Sequence, residues 1–306
     1  MDRQIQAYLF AAATILCWST AASAFKLTLQ VMAVDDVLLY ASLVSLLCLL
    51  ALLGLNGQLR GLRLWTPRDY ARSALLGLLN PFLYYLILFW AYDRLPAQEA
   101  LPLNFVWPIV LVLLSIVILG QRIRAISLLS MLISFAGVVV IATRGDVLGL
   151  RLTDPLGVGL ALASTVVWSL YWLYGVRDAR DPAARLCLNF AFGLAYILVY
   201  RLLVTDWTLP TPAGLAGAAY IGLFEMGLAF VLWLQALKRS RTTAQVGNLI
   251  YLTPFGSLLV IHGVVGEPIY PSTLVGLCLI IGGILCQQYG DRWARRAQPA
   301  ASTRSD

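Results

Sequence analysis

The chain contains one stretch twice, and that duplication constrains everything else it can fold into. Residues 244–289 read AQVGNLIYLTPFGSLLVIHGVVGEPIYPSTLVGLCLIIGGILCQQY. Two apolar runs are joined by a tight turn at Gly266, Glu267 and Pro268. Slid back by 146 positions without a gap, the stretch falls on residues 98–143. Pro254 then lies on Pro108, Gly266 on Gly120, Ile269 on Ile123 and Gly283 on Gly137. At a shift of 145, Gly77 and Ala91 match Gly222 and Ala236; at 150, Trp18-Ser19 matches Trp168-Ser169. Apolar matches arise by chance, but glycine, proline and tryptophan in a near-constant register point to two homologous halves.

The solvent follows from composition. Hydrophobic residues make up 60% of the 306, the mean hydropathy is +0.81, and only 12% are charged. That is too little charge to cover a water-soluble surface of this size, so lipid is the expected environment. The five cysteines, Cys17, Cys48, Cys187, Cys278 and Cys286, lie inside apolar runs without CxxC spacing. They read as small apolar filler, not as disulfides or zinc ligands. The first apolar run is too long for a cleavable signal peptide.

A bilayer span needs about 20 apolar residues. Ten runs qualify, at 7–27, 37–55, 71–92, 97–119, 125–143, 157–174, 183–204, 213–237, 243–265 and 272–289. They are continuous rather than alternating, which argues for helices over a barrel. With the N-terminus placed inside, seventeen of the 22 Lys and Arg fall on inside segments and five on outside ones, so both termini are expected in the cytoplasm. Five spans per half is odd, so the second half must start on the opposite side from the first. The expected fold is therefore an all-α membrane protein of ten transmembrane helices, built as two inverted five-helix repeats. Residues 1–143 form the first repeat, 144–156 a periplasmic connection, 157–290 the second repeat and 291–306 a cytoplasmic tail.

Inverted repeats place a substrate site near the bilayer midplane, where the halves meet. Glu225 is the one acidic residue near the middle of a span, and its repeat mate is Asn80. A carboxylate at that depth is costly, so either a proton-coupling or substrate-amine role, or a protonated acid bonded to a neighbouring helix, would explain it. Lys26 and Arg201, near span ends, read as snorkelling side chains, and His262 as solvated or locally satisfied. Trp65, Tyr70, Tyr92, Trp207, Tyr289 and Trp293 fit an interfacial aromatic belt. Other aromatics stand beside polar residues at helical spacing within spans. Ser164, Trp168 and Tyr171 share a face, as do Asn80 and Tyr84. Asn104 precedes Trp107 and Pro108 by one turn, and Asn248 precedes Tyr251 likewise. Both Pro108 and Pro254 can break their helices where a cavity absorbs the freed carbonyls. Together with Trp18 and Ser19, these residues form the expected substrate-binding set: Trp18, Ser19, Asn80, Tyr84, Asn104, Trp107, Ser164, Trp168, Tyr171, Glu225, Asn248 and Tyr251. Such ring faces with amides and hydroxyls suit a flat, partly polar solute better than an inorganic ion.

No GxxxxGK[ST] or HExxH occurs, and the lone His262 has no GxSxG-type partner. ATP-driven transport on this chain and membrane proteolysis are thereby disfavoured, and no cofactor or metal site is expected.

LTPFGSLLVIHGVVGEPIYPSTLVGLCLIIGGILC resembles the second EamA repeat of the drug/metabolite transporter superfamily. WPIVLVLLSIVILGQRI with FAGVVV resembles the first, with Gln121 where Glu is usual. CWST at 17–20, LNPFLYY at 79–85 and LNFVWP at 103–108 look like the bacterial aromatic amino acid exporters of that superfamily. The resemblance implies an inner-membrane exporter of small metabolites, aromatic amino acids first, and of cationic compounds such as methyl viologen. A broad drug and metabolite exporter on the same scaffold, or a membrane-embedded enzyme, are the alternatives. The partners are then a small-molecule substrate and the lipid bilayer, with no nucleic acid, and a monomer is left open as the working unit.

Overall fold

A computed structural model describes residues 2–58, 65–120, 125–149, 152, 154–175, 178, 180–204, 209–240, 246 and 248–297. These fold into helices throughout. The helices are α1 (Arg3–Leu29), α2 (Val34–Leu55), α3 (Pro67–Arg94), α4 (Ala97–Ile118) and α5 (Ala125–Ala142) in the first half. In the second half they are α6 (Pro155–Gly175), α7 (Pro182–Val204), α8 (Pro212–Arg239), α9 (Leu249–Val265) and α10 (Pro271–Ala297). Eight are long and apolar enough to cross a bilayer unaided, and α5 and α9 contribute shorter apolar helices that complete ten.

The duplication reappears as matched local chemistry. Helices α3 and α8 both start on a Thr-Pro pair. Thr66 Oγ1 accepts from the Asp69 N–H and Thr211 Oγ1 from the Gly214 N–H, capping donors that the first turn leaves free. Both are interrupted in mid-span, though differently: α8 passes through a π-helical segment at Ile221–Leu228, a common mark of a functional position, whereas α3 is kinked at Asn80, whose φ of −145° and ψ of 120° leave the helix just before Pro81. Helices α4 and α9 break just before Pro108 and Pro254. Each ends on a left-handed glycine, Gly120 at φ 64° and Gly266 at φ 79°, a conformation that only glycine adopts without strain.

Packing follows the same symmetry. Helix α1 lies against α8 and α9, and α6 lies against the equivalent α3 and α4. Helix α2 packs on α8, and α7 on α3, while α2 meets α7 and α5 meets α10 across the pseudo-symmetry axis. One unit thus comprises α1, α2, α8 and α9; the other comprises α6, α7, α3 and α4. The α5–α10 seam is closed by glycine. A Cβ on Gly137 would meet the Gly276 carbonyl at 2.6 Å, and one on Gly276 would meet the Gly137 carbonyl at 2.7 Å. Backbones approach this closely in membranes because packing, not hydrophobicity, holds the helices together.

Two span-end cations depart from the sequence-based expectation. Arg201 does not snorkel: it is 1% exposed, and its guanidinium pairs with Asp36 at 2.7 Å inside the α2–α7 contact. Lys26 turns inward and bonds to backbone carbonyls of α3. In both cases a counter-group lies within reach inside the protein, so the charge is met there instead of at the lipid headgroups. His262 is exposed, with Nδ1 against the Glu267 carbonyl at 3.1 Å, as expected of a locally satisfied ring.

Candidate functional site

A cavity of about 550 Å³ opens where the two packing units face each other. Its walls come from α1, α3, α4, α6, α8, α9 and α10. It reaches from Phe25, Tyr92 and Leu101 at one end to Leu237 and Gln288 near the face that carries Arg3 and the end of α10.

The walls are mostly ring faces. Trp168 stands at their centre: Tyr84 stacks on it at 4.5 Å and Tyr171 at 5.5 Å, while Trp107, Trp172 and Phe230 meet it edge-on at 6.5, 5.8 and 6.0 Å. On the opposite side Trp18, the repeat mate of Trp168, packs on Phe230 at 5.8 Å and Trp233 at 5.7 Å. The Trp168–Phe230 contact joins the two units across the cavity.

Polar groups are few. Glu225 is the one charged side chain among the described lining residues. The π-helical segment of α8 places it there. Its Oε1 accepts from the Tyr85 hydroxyl at 3.2 Å, and Oε2 is buried without a partner. A relay leads away from the wall: the Tyr84 hydroxyl donates to Asn104 Oδ1 at 3.3 Å, Asn104 Nδ2 to Ser164 Oγ at 2.9 Å, and Ser164 to the Ala161 carbonyl at 2.6 Å. Tyr251 is bonded by the Gln288 side chain. Trp172 Nε1 is a buried donor without a partner.

Of the residues expected to bind substrate, Trp18, Tyr84, Asn104, Trp107, Trp168, Glu225 and Tyr251 line the cavity. Four lie behind its wall. Ser164 anchors Asn104. Tyr171 backs Trp168, and Asn80 lies with Asn189 beside the Tyr171 hydroxyl. Ser19 bonds the Thr253 carbonyl at 3.3 Å, and its repeat mate Ser169 bonds the Trp107 carbonyl at 2.9 Å. These serines brace the two proline breaks symmetrically, across from the half that carries them. The side chain of Asn248 lies outside the described residues.

Other lining residues were not in the expected set: Tyr85, Trp172, Phe230, Trp233 and Gln288. Trp172 follows Trp168 by one turn, and Tyr85 and Phe230 are repeat mates, so spacing and register held a signal for both. Tyr92, expected in the interfacial belt, is 2% exposed and packs on Phe25 at 5.2 Å. Trp207 and the side chain of Trp293, from the same expected belt, lie outside the described residues. The arrangement can hold a flat solute between ring faces, and Glu225 Oε2, Gln288 Oε1, the Thr253 hydroxyl and Trp172 Nε1 are unpartnered polar atoms of the lining residues that could orient it.

Comparison with known proteins bears on what uses such a cavity. A family profile described as "EamA-like transporter family" matches residues 5–143 and again 155–287. The chain is 26% identical to an uncharacterized transporter of Clostridium kluyveri, over 97% of this chain and 98% of that one. It is 28% identical to a probable terminal-alkyne amino-acid exporter of Streptantibioticus cattleyicolor, over 89% and 90%. Against the aromatic amino acid exporter YddG of Ancylobacter novellus the identity is 29%, over 74% and 79%. A solved crystal structure superposes with a TM-score of 0.66 at 24% identity, covering 96% of this chain and 99% of the other; at that identity it speaks for the fold alone.

Proposed function

The chain belongs to the EamA-like transporter family, and from that membership we propose that it exports small aromatic metabolites, aromatic amino acids first, across the inner membrane by alternating access. The observation that carries the reading is the cavity between the two units, walled by indole and phenol rings and holding one carboxylate. A substrate ring stacks between these faces. The Glu225 carboxyl receives its ammonium group, and the Trp172 indole N–H and the Thr253 hydroxyl, both unpartnered, are donors for its carboxylate. Two relatives carry names that make them amino-acid exporters, which supports the same class.

We place the face bearing Arg3 in the cytoplasm, since seventeen of the 22 basic residues fall on the sequence segments that ten spans assign to that side. Residues 1–143 and 157–290 are then the inverted repeats, 144–156 crosses the periplasmic face, and 291–306 is the cytoplasmic tail. One chain supplies every wall of the cavity, so a monomer suffices to form it.

The test is flux into or out of liposomes that hold the purified protein, with labelled tryptophan, tyrosine, phenylalanine and leucine. Protein-dependent flux of the aromatic amino acids should exceed that of leucine by about tenfold, the worth of one or two ring contacts. Absence of aromatic flux would overturn the reading. Equal flux of all four would favour a broad metabolite exporter.

A further inference from the structure

The rings that wall the cavity form two groups, and Phe230 touches both. It meets Trp168 at 6.0 Å in one group and Trp18 at 5.8 Å in the other. The Trp168 group, with Tyr84, Trp172 and the nearby Glu225, is where the substrate ring and its ammonium were placed above. The second group lies toward the face that carries Arg3. Trp18 and Trp233 wall it at 5.7 Å from each other, and Tyr251, Thr253 and Gln288 line the same end.

The repeat relates the two groups, since Trp18 and Trp168 are mates and each comes from the first helix of its half. Packing separates them. Trp233 belongs to a small apolar cluster with Ala7, Ala11, Ala236 and Val246, joined by Trp18, whereas Trp168, Tyr84 and Phe230 belong to the main core. Length separates them too. Along α8, Glu225, Phe230, Trp233 and Leu237 follow in order toward the Arg3 face. The helix between Glu225 and Leu237 is about 18 Å long at about 1.5 Å per residue, more than one aromatic amino acid spans. A solute held by its ammonium at Glu225 therefore leaves the second group unfilled.

The polar groups differ as well. Glu225 is the one charged side chain among the described lining residues, so the second group carries none. There Gln288 Nε2 donates to the Tyr251 hydroxyl, which fixes the amide and leaves Oε1 buried without a partner. The Thr253 hydroxyl is likewise buried and unpartnered. Leaving a buried acceptor unpaired is costly. An indole N–H or a phenol O–H relieves that cost while its ring packs on the tryptophans.

We propose that the Trp18–Trp233 group is a second ring-binding subsite, selecting an indole or phenol ring by a neutral hydrogen bond, so that the cavity holds two aromatic solutes in series. The inference rests on the export of aromatic amino acids proposed above.

Equilibrium binding of labelled tryptophan to the purified full chain in lipid nanodiscs tests it. Two tryptophans per chain are expected. Trp233→Leu should weaken one of the two sites about threefold to tenfold, and Glu225→Gln the other by about tenfold. Gln288→Leu should act on the same site as Trp233→Leu, and serves if Trp233→Leu fails to fold. Phenylalanine, which has no donor on its ring, should fill that site about tenfold more weakly than tryptophan. A single tryptophan per folded wild-type chain overturns the second subsite, as does weakening of one and the same site by Trp233→Leu and Glu225→Gln. If such a single-site protein still carries aromatic amino acids into liposomes, the export reading stands without the subsite. No tryptophan bound and no aromatic flux would overturn both.

Discussion

At the scale of single residues, Glu225 concentrates the chemistry. It sits in the cavity wall with one oxygen bonded by Tyr85 and the other free. It is the one charged side chain among the described lining residues, and that position favours a role in recognition. Glu225→Gln keeps the shape but not the charge. It is expected to reduce flux of aromatic amino acids about tenfold or more, while flux of aryl acids that lack the ammonium group stays unchanged. Paired flux measurements on the two substrates check this, and an equal loss for both would assign Glu225 to structure. Trp168 needs a gentler probe. It touches five other rings, so Trp168→Ala should cost about 3–5 kcal/mol of stability as well as binding. Trp168→Phe keeps a ring, and should retain the fold by thermal melting while weakening aromatic flux about threefold.

Arg201 shows what single-residue reading missed. Its position near a span end looks like snorkelling, yet it is buried against Asp36 at 2.7 Å. The sequence places both residues near the same face but does not say that α2 and α7 touch there. Arg201→Met, which removes the Arg201 guanidinium from the buried Asp36, should destabilise by about 3–5 kcal/mol; the double change Asp36→Asn with Arg201→Met should recover much of that. Melting temperatures in detergent decide it, and a neutral Arg201→Met would return the residue to a snorkelling role.

At the scale of elements, the sequence was legible wherever backbone chemistry is specific. Gly120 and Gly266 marked two helix ends, and Pro108 and Pro254 marked two breaks. The apolar runs located the helices, although 243–265 begins in residues outside the described ones. The π-helical segment of α8 was not legible, because no residue type requires an extra residue in a turn, whereas the kink of α3 at Asn80 had a signal in Pro81. Glu225, in the π-helical segment of α8, lines the cavity, while its mate Asn80, at the kink of α3, lies behind the wall. Nor could uniform apolarity reveal which side of α1 or α3 faces inward, which is why Ser19 and Tyr92 were misplaced. The glycine seam gives a test at this scale. Gly276→Leu places side-chain atoms where the Gly137 carbonyl and Ile141 already stand, at 2.7 and 2.4 Å from the first added carbon. Loss of monodisperse protein on size exclusion is expected. Gly282→Leu, where a Cβ meets nothing within 4 Å, should leave the yield intact.

At the scale of the whole molecule, the pairing of α1 with α8 and α9, mirrored by α6 with α3 and α4, makes two interlocked units around one cavity. In halves that cross the membrane in opposite senses, interlocking of this kind gives alternating access, since the same local hinges then open opposite faces. The direct measurement is a pair of fusions carrying a reporter active only in the cytoplasm and one active only in the periplasm. One pair is placed in the exposed connection at Leu148, after five helices, and the other after Ala297, after ten. Inverted halves put Leu148 in the periplasm and Ala297 in the cytoplasm, each reporting with the opposite enzyme. Both positions reporting from the same side would mean parallel halves, and would contradict the inverted repeat on which this account of alternating access is built.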